Sequence, residues 1–266
     1  MNYKKPGEDG FFAIGSDDDL YWFALYTKTQ DTKNANAKLT ADINYTHDEM
    51  IGMARCSYGG VFDGQEHTIT VDINRDEAGR AAIFDDVEGA TIKNLVVDGS
   101  IYCAGQFDGG LAVEARDNTL IKNVVVKANI FSDYEGDGTH GGIVAIGYGN
   151  LVIENCAFVG TLEADLSEGS SGIIGYTHGG SNTSIKNTYV GGELYLLEGS
   201  NNHVISRNNP YLDNCWASWD CSYYNISEAV QLFEVDKEMI SGELCYNLHG
   251  EGNGWFQNID VDNYPV

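Results

Sequence analysis

Residues 92–99 read Ile-Lys-Asn-Leu-Val-Val-Asp-Gly, and the opening pattern of this stretch returns along the chain. An apolar residue, a polar residue and an asparagine precede a further apolar run in five segments. The asparagines of these segments are Asn94, Asn123, Asn155, Asn187 and Asn214. They lie 29, 32, 32 and 27 residues apart. A repeat of this length has the size of one supersecondary unit of a solenoid.

Each repeat also carries an earlier glycine-rich apolar strand, at residues 81–84, 110–113, 142–145, 172–175 and 203–205. Such short strands cannot bury their apolar faces alone, but coils stacked at ~4.8 Å pair every backbone with the next. We therefore predict an all-β, right-handed parallel β-helix with five coils of about 27–32 residues each. The apolar runs are short and β-branched, which disfavours helices, and a β-propeller blade has a longer repeat of ~40–50 residues.

The repeated asparagine has two interpretations. Its amide could belong to an inward ladder that satisfies the backbone of its own and neighbouring coils, or to a polar row that reaches a ligand. Asparagine tolerates left-handed backbone angles at a turn better than most residues. We favour the structural ladder for Asn94, Asn123, Asn155, Asn187 and Asn214.

A solenoid needs caps at both ends. Ser16 is the predicted N-cap of a helix that starts at Asp17, with an acidic first turn and an apolar face. We predict one structural domain, with residues 1–36 as the N-terminal segment and capping helix, residues 37–225 as the β-helix and residues 226–266 as the C-terminal cap. Residues 227–233 and 239–248 are predicted to form short helices over the last coil, and residues 250–266 a final aromatic wrap.

The net charge of −25 arises from 40 acidic and 15 basic residues. Nucleic acid and anionic membrane would be repelled, whereas calcium, cationic partners and neutral glycans would not. No apolar run approaches the ~18–20 residues of a transmembrane helix. Residues 1–6 lack the apolar core of a signal peptide, so an exported form would carry a signal that this sequence does not contain.

Six cysteines occur without a Cys-x-x-Cys pair, so a zinc ribbon is not indicated. Cys156 and Cys215 each follow a ladder asparagine but belong to coils two steps apart. Two steps of ~4.8 Å exceed the Cα separation of at most ~7 Å that a disulfide permits. We predict that this pair is unbonded.

Residues 37–43, residues 60–69 and the stretch from Ile92 to Gly99 together resemble the GLUG-type β-helix repeat proteins of bacterial surfaces. The resemblance covers about residues 11–225. It departs at Glu66, where those proteins commonly have glycine. The resemblance implies a secreted or surface-anchored module, often one part of an adhesin-like or glycan-handling protein. It implies no set of catalytic residues.

Residues 133–141 contain the candidate metal ligands. Asp133, Glu135 and Asp137 alternate as in the opening of a calcium loop, although the twelfth position is Val144, where a glutamate would be needed. Residues 138–141 also differ from the Gly-His-Gly loop of polygalacturonases by an inserted threonine. His140, His178 and His203 lie near the glycine-rich strands of consecutive coils and could stack around a metal, or could be ordinary turn residues.

Aromatic residues in turns and strands suggest a glycan-binding face, because rings stack on sugars. The candidates are Tyr134, Tyr148, Tyr176, Tyr189 and Tyr195, with Trp216 and Trp219 beside them. The favoured function is a non-catalytic extracellular module for adhesion or glycan contact, with a neutral glycan or a cell-surface protein as partner and no required cofactor. A polysaccharide lyase or glycoside hydrolase with a groove along the helix is one alternative, and a structural spacer is another.

Overall fold

The computed structural model describes residues 4–76, 79–198, 201–249, 254–259 and 261–266. Strands of successive coils pair in parallel throughout the stack, as in the pairs that join residues 91–97 to 120–126 and residues 184–190 to 211–217. The chain is therefore a parallel β-solenoid, and the predicted all-β class and parallel β-helix architecture are confirmed.

The described part of the chain contains 24 strands and two α-helices, α1 (Asp17–Tyr26) and α2 (Glu243–His249). A 3-10 helix covers Trp219–Cys221, and a π-helical turn covers Val235–Met239. The strands are β1 (Phe11–Ile14), β2 (Asn36–Leu39), β3 (Ile43–Tyr45), β4 (Val61–Asp63), β5 (Thr68–Arg75), β6 (Arg80–Ala81), β7 (Phe84–Val87), β8 (Thr91–Cys103), β9 (Phe107–Gly109), β10 (Ala112–Ala115), β11 (Leu120–Val126), β12 (Asn129–Phe131), β13 (Gly136–Gly141), β14 (Val144–Gly147), β15 (Val152–Glu154), β16 (Ala157–Phe158), β17 (Thr161–Ala164), β18 (Ser167–Ser171), β19 (Ile174–Thr177), β20 (Ser184–Val190), β21 (Glu193–Leu196), β22 (Ser206–Arg207), β23 (Tyr211–Ser218) and β24 (Val230–Phe233).

Three parallel sheets wrap around the core. The largest contains the path β1-β2-β4-β8-β11-β15-β20-β23-β24, with β3, β5, β12, β16, β17 and β21 attached to it. A second sheet has the order β22-β19-β14-β10-β7, and a third has the order β18-β13-β9-β6.

The predicted glycine-rich strands are in fact the corners between the third and second sheets. Glycine is needed there because a Cβ on Gly142 would lie 2.0 Å from the carbonyl oxygen of Gly172 in the next coil.

Stacks of identical side chains fill the interior. Ile92, Ile121, Ile153 and Ile185 are neighbours in register across four coils, and all four are fully buried. Burying one such side chain contributes roughly 1.5–3 kcal/mol. The same register therefore repeats the same apolar contact from coil to coil.

The repeated asparagines form a continuous hydrogen-bonded ladder. Each has a left-handed backbone, with φ between 45° and 54°. Each side-chain amide Nδ2 donates to the side-chain Oδ1 of the preceding coil: Asn214 to Asn187 at 3.0 Å, Asn187 to Asn155 at 3.2 Å, Asn155 to Asn123 at 3.2 Å and Asn123 to Asn94 at 2.9 Å. The ladder ends where Asn94 donates to the Asp63 carboxylate at 3.0 Å. The amides thus bond mainly to one another, and Asp63 is a member that the repeat pattern does not reveal.

The N-terminal cap follows the sequence prediction. Helix α1 starts at Asp17, and the Ser16 hydroxyl accepts a hydrogen bond from the Asp19 backbone at 3.3 Å. Phe23 of this helix is fully buried and its ring lies 6.2 Å from that of Phe62 in the first coils. Strand β1 precedes the helix and pairs with β2, so the parallel sheet already begins before residue 37.

The C-terminal segment agrees with the prediction only in part: α2 (Glu243–His249) overlaps the predicted helix at residues 239–248. Residues 230–233 form strand β24, which adds to the sheet beside β23, and not a helix. Among the described residues after β24, no apolar side chain packs into the interior of the stack. Phe233, Leu244, Leu248 and Trp255 instead pack against the outer side of the sheet, over Tyr189. The outward row of Val125, Ala157 and Tyr189 is apolar, and this row attracts the segment to the side of the solenoid. Residues 250–253 and 260 of the predicted aromatic wrap lie outside the described residues.

All six cysteines are free thiols, and all but Cys245 are buried. Cys215 lies beside Thr188 in register, and Thr188 in turn neighbours Cys156, so the two cysteines are two coils apart. Burial raises the pKa of Cys156 and of Cys215 to about 12. Both thiols are therefore protonated at neutral pH.

We expect only Cys245, which is half-buried, to react quickly with a thiol reagent such as Ellman's reagent at pH 8, because the thiolate is the reactive form. All six should react after unfolding in guanidinium. Rapid reaction of two or more thiols in the native protein would contradict the described packing.

Replacement of Asn155 by Ala should lower the free energy of unfolding by ~1–3 kcal/mol, because two buried ladder hydrogen bonds are lost and alanine disfavours a positive φ. The Asn155→Gly variant keeps the backbone geometry and isolates the contribution of the amide. Asn129→Ala, at an exposed position of β12, is the control. Denaturant titration measures the three variants, and equal stability of Asn155→Ala and wild type would contradict the ladder's role.

Candidate functional site

A cavity of about 480 Å³ opens beside the asparagine ladder. One wall is the outer side of the coils, with Val96 and Val125 as its apolar floor. The opposite wall is the C-terminal segment, which contributes Trp255, Phe256 and Val266. Ligand sites are concave, mainly apolar and fitted with a few convergent polar groups, and this cavity has that character. We refer to it as the ladder pocket; it is lined by Glu66, Asn94, Leu95, Val96, Asn123, Val125, Asn155, Gly254, Trp255, Phe256 and Val266.

The polar lining of the ladder pocket consists of Asn94, Asn123, Asn155 and Glu66. A side-chain amide has two N–H donors and an oxygen with two lone pairs. The ladder uses one donor and one lone pair of Asn123, in its bonds to Asn94 and from Asn155. Among the residues that the structure describes, no other group bonds to this amide, so a second donor and a second lone pair remain. The ladder therefore joins successive coils, as the favoured interpretation requires, and three of its amides also line the pocket.

Glu66 lies at the rim of this pocket in an unusual conformation. Its φ is 65°, in the left-handed region where glycine is favoured. Its backbone N–H donates to the Asn94 carbonyl at 2.8 Å, and its side chain is exposed. A glycine would adopt this backbone conformation without strain. Strained residues cluster at functional sites, so a glutamate here is a candidate ligand contact.

The C-terminal wall is anchored by specific contacts. The Trp255 indole Nε1 donates to the Asn187 carbonyl at 3.0 Å, and the Tyr189 hydroxyl donates to the Pro265 carbonyl at 2.8 Å. Phe256 and Val266 exchange two backbone hydrogen bonds of 2.9 Å. The Phe256 side chain is 66% exposed, so its ring is available at the pocket mouth.

The five predicted glycan-binding tyrosines do not form one face. Tyr189 is fully buried beneath the C-terminal segment, so this candidate is corrected: its ring cannot reach a surface glycan. Tyr195 is 51% exposed on β21, and Tyr134 lies half-buried in the loop before β13. Of the two tryptophans, Trp216 packs under the C-terminal segment and Trp219 is exposed at the end of the stack.

Tyr148 and Tyr176 do lie together, beside the second sheet, but their rings are engaged. The Arg116 guanidinium lies 4.5 Å from the Tyr148 ring centroid, and the His178 ring stacks on Tyr148 at 5.2 Å. The Arg207 guanidinium lies 4.9 Å from the Tyr176 ring centroid. Cation–π contacts of this kind hold the rings in place and leave little ring face for a sugar.

The predicted calcium ligands do not converge. Asp133 accepts a hydrogen bond from the Tyr102 hydroxyl at 3.0 Å, whereas Asp137 lies 3.9 Å from Arg207. Among the described residues, no three His, Cys, Asp or Glu side chains are grouped to hold a metal ion. Asp133, Glu135 and Asp137 therefore do not form a preformed site.

The three histidines also occupy separate environments. His140 is fully buried, His178 is exposed beside Tyr148, and burial lowers the pKa of the half-buried His203. His140 Nδ1 lies 2.8 Å from Asp108 Oδ1, and its Nε2 lies 2.8 Å from the Ser167 hydroxyl. The order of partners is that of a catalytic triad, and three different coils contribute to it.

Burial and hydrogen bonding argue that this chain of side chains is structural. Asp108, His140 and Ser167 have no exposed surface, and the Ser167 hydroxyl donates to the Tyr134 carbonyl at 2.6 Å. A nucleophilic serine must instead give its proton to the histidine and reach a substrate. Gly138 covers the group so closely that a Cβ there would lie 2.5 Å from both His140 Nε2 and Ser167 Oγ.

Two neighbouring carboxylates of the kind that a lyase or hydrolase uses are held in ion pairs. Asp86 and Glu114 are neighbours in register, and burial raises the pKa of Asp86. Arg116 binds both carboxylates, and Arg80 also binds Glu114. General acid–base catalysis needs a carboxyl group free to exchange a proton with substrate. These ion pairs remove that freedom and join adjacent coils.

Comparisons with known proteins bear on the fold alone. No family model and no curated protein matches the chain. The solved structure of a putative immunoglobulin A1 protease from Bacteroides ovatus is similar, with a TM-score of 0.62 and 16% sequence identity over 100% of this chain and 94% of that chain. The resemblance to GLUG-type proteins stays a prediction. In the described part of the chain, no helix is long and apolar enough to cross a lipid bilayer.

Replacement of Ser167 by Ala should lower the free energy of unfolding by ~1–3 kcal/mol, because two buried polar groups lose their partner. Ser100→Ala, which removes an exposed hydroxyl, is the control. The unmodified chain should not be labelled at Ser167 by a fluorophosphonate, as mass spectrometry of its peptides would show. Labelling at Ser167 would indicate an active nucleophile.

Proposed function

We propose that this chain is a non-catalytic recognition module that binds a neutral glycan in the ladder pocket. The observation that carries the proposal is the combination of spare asparagine amides with an apolar floor and an exposed aromatic ring at Phe256. Sugars have apolar ring faces and hydroxyl edges. Apolar side chains can contact the faces while amides bond the edges.

The spacing of the amides supports an elongated ligand. Asn94, Asn123 and Asn155 belong to consecutive coils, so they repeat every ~4.8 Å along the solenoid axis. A saccharide chain that runs along this axis would meet one asparagine amide at each coil, with an N–H donor and an oxygen lone pair for its hydroxyl groups. The rigid ladder pre-organises these groups, which reduces the entropy lost on binding.

Charge favours a neutral ligand. Glu66 is the ionisable side chain at the rim, and the chain as a whole has a net charge of −25. Polyanionic polysaccharides would be repelled by this field. A carboxylate at the rim can accept hydrogen bonds from sugar hydroxyls, and charge-assisted hydrogen bonds of this kind are stronger than neutral ones.

The proposed setting is a secreted or surface-anchored bacterial protein. Two observations support it: the resemblance to GLUG-type surface proteins, and the solenoid architecture shared with the Bacteroides ovatus protein.

The serine–histidine–aspartate chain and the carboxylate pair both form hydrogen bonds or ion pairs within the fold, so neither supports catalysis here.

Glu66→Gly provides a test in which two measurements should move in opposite directions. Glycine relieves the left-handed backbone strain, so the free energy of unfolding should rise by about 1 kcal/mol. Loss of the carboxylate should weaken glycan binding at least fivefold. A glycan array on the purified chain identifies the ligand, and calorimetry with that ligand compares the variants.

Phe256→Ala should weaken the same binding about tenfold. Tyr246→Ala, which removes another exposed ring from the C-terminal segment, is the matched control and should bind normally. Equal binding by Phe256→Ala and wild type would contradict the pocket assignment. Release of shortened glycan products would overturn the non-catalytic assignment, and no binding on the array would favour a structural spacer.

A further inference from the structure

A second surface, distinct from the ladder pocket, combines aromatic rings with carboxylates. It lies on the outer side of β5, the end of β8, β12, β17 and β21. One outward row contains Asn74, Tyr102, Phe131, Glu163 and Tyr195, which are neighbours in register. The adjacent row contains Asp72, Ser100, Asn129, Thr161 and Glu193. We call these ten residues the acidic face.

The acidic face contains three carboxylates and neither lysine nor arginine among its ten positions. The neighbouring Asp133 adds a further carboxylate, which accepts a hydrogen bond from Tyr102. Phe131 and Tyr195 are 39% and 51% exposed, and Glu163 and Glu193 are exposed as well. Large apolar rings at the surface usually mark contact sites when they adjoin one another.

The register separates two of these rings by two coil steps, and we call the space between them the slot. Phe131 and Tyr195 lie two coils apart, with Glu163 between them. Two coil steps amount to ~9.6 Å, and carbon atoms in contact are ~3.5–4.0 Å apart. Glu163 stands at the intermediate step, so a flat group that binds its carboxylate from outside has an aromatic ring on either side.

Both rings contact a neighbouring side chain. The Tyr102 ring stacks on Phe131 at 5.5 Å, with an angle of 20° between the planes. The Tyr195 hydroxyl donates to the Glu193 carboxylate at 2.9 Å. Stacking on Tyr102 restricts the Phe131 ring, and the Tyr195 ring lies beside Glu193.

We propose that the acidic face binds a basic polypeptide segment of a partner protein, with an arginine side chain seated between Phe131 and Tyr195. A guanidinium group is planar, stacks on aromatic faces and pairs with a carboxylate through two parallel hydrogen bonds. Phe131 and Tyr195 supply the faces, and Glu163 supplies the carboxylate. The surrounding acidic residues attract the rest of the basic segment.

Charge complementarity selects this partner over others. A net charge of −25 accelerates encounter with a cationic protein and slows encounter with an acidic one. The long-range field alone would bind any cation weakly. The two rings add a contribution that depends on shape, and this contribution distinguishes the slot from the remaining acidic surface.

The probe is a blocked nine-residue peptide of glycine and serine with one central arginine, titrated into the full chain and followed by NMR. The same peptide with citrulline in place of arginine keeps the shape and removes the charge. We expect the citrulline peptide to bind at least tenfold more weakly. Binding of the arginine peptide should also weaken as salt rises.

Four variants separate the slot from general charge attraction. Tyr195→Ala and Glu163→Gln should each weaken binding at least fivefold, whereas Tyr195→Phe, which keeps the ring, should bind normally. Glu228→Gln removes an exposed charge at the end of the stack and should have little effect. Equal losses for Glu163→Gln and Glu228→Gln, or no loss for Tyr195→Ala, would overturn the proposal. Glycan binding in the ladder pocket should be unchanged in all four.

Discussion

The close stacking of coils is the constraint on which the rest of this structure depends. At ~4.8 Å per coil, every backbone group must pair with its neighbour above and below, so each corner must repeat the same dihedral angles. The asparagine corner meets this demand with a left-handed residue whose side chain also bonds to the next coil. The glycine corners meet it by removing the side chain where backbones touch. Outside these corners, apolar residues in register fill the interior.

The outer surfaces follow from the same register. A residue type placed once per coil becomes a row, and each row has its own chemistry. The row that includes Val125 and Tyr189 is apolar, so the C-terminal segment covers it and creates a pocket where the cover stops. The row that includes Phe131 and Glu163 is mixed and stays open. The two outer surfaces therefore differ because different residue types occupy the outward positions of successive coils.

The sequence was informative where the repeat determines the structure. The period and the asparagine positions were sufficient for the parallel architecture, and the spacing of Cys156 and Cys215 was sufficient to place them two coils apart. A helix near residues 239–248 was predictable, but the path of the described residues from 230 onward was not, because it depends on which outer row is apolar over several coils. Tyr189 was misplaced for that reason. The buried His140 cluster was missed because its three members come from different coils, although the Gly-Thr-His-Gly stretch was a local signal.

The anchoring of the C-terminal segment fixes the position of the ladder pocket along the solenoid. The segment is fixed to the coils of Asn187 and Tyr189, and it reaches back to the pocket at Asn94 and Asn123. The length of the segment determines how far it extends along the coils, whereas the length of the stack depends on the number of coils. A coil gained or lost between Asn123 and Asn187 would move the pocket mouth to the next asparagine along the ladder. The pocket would keep its amides, because each rung offers the same side chain. Since the reach of the segment would be unchanged, the pocket would also keep its length, so a solenoid of this kind tolerates a change in coil number at this point without loss of the pocket.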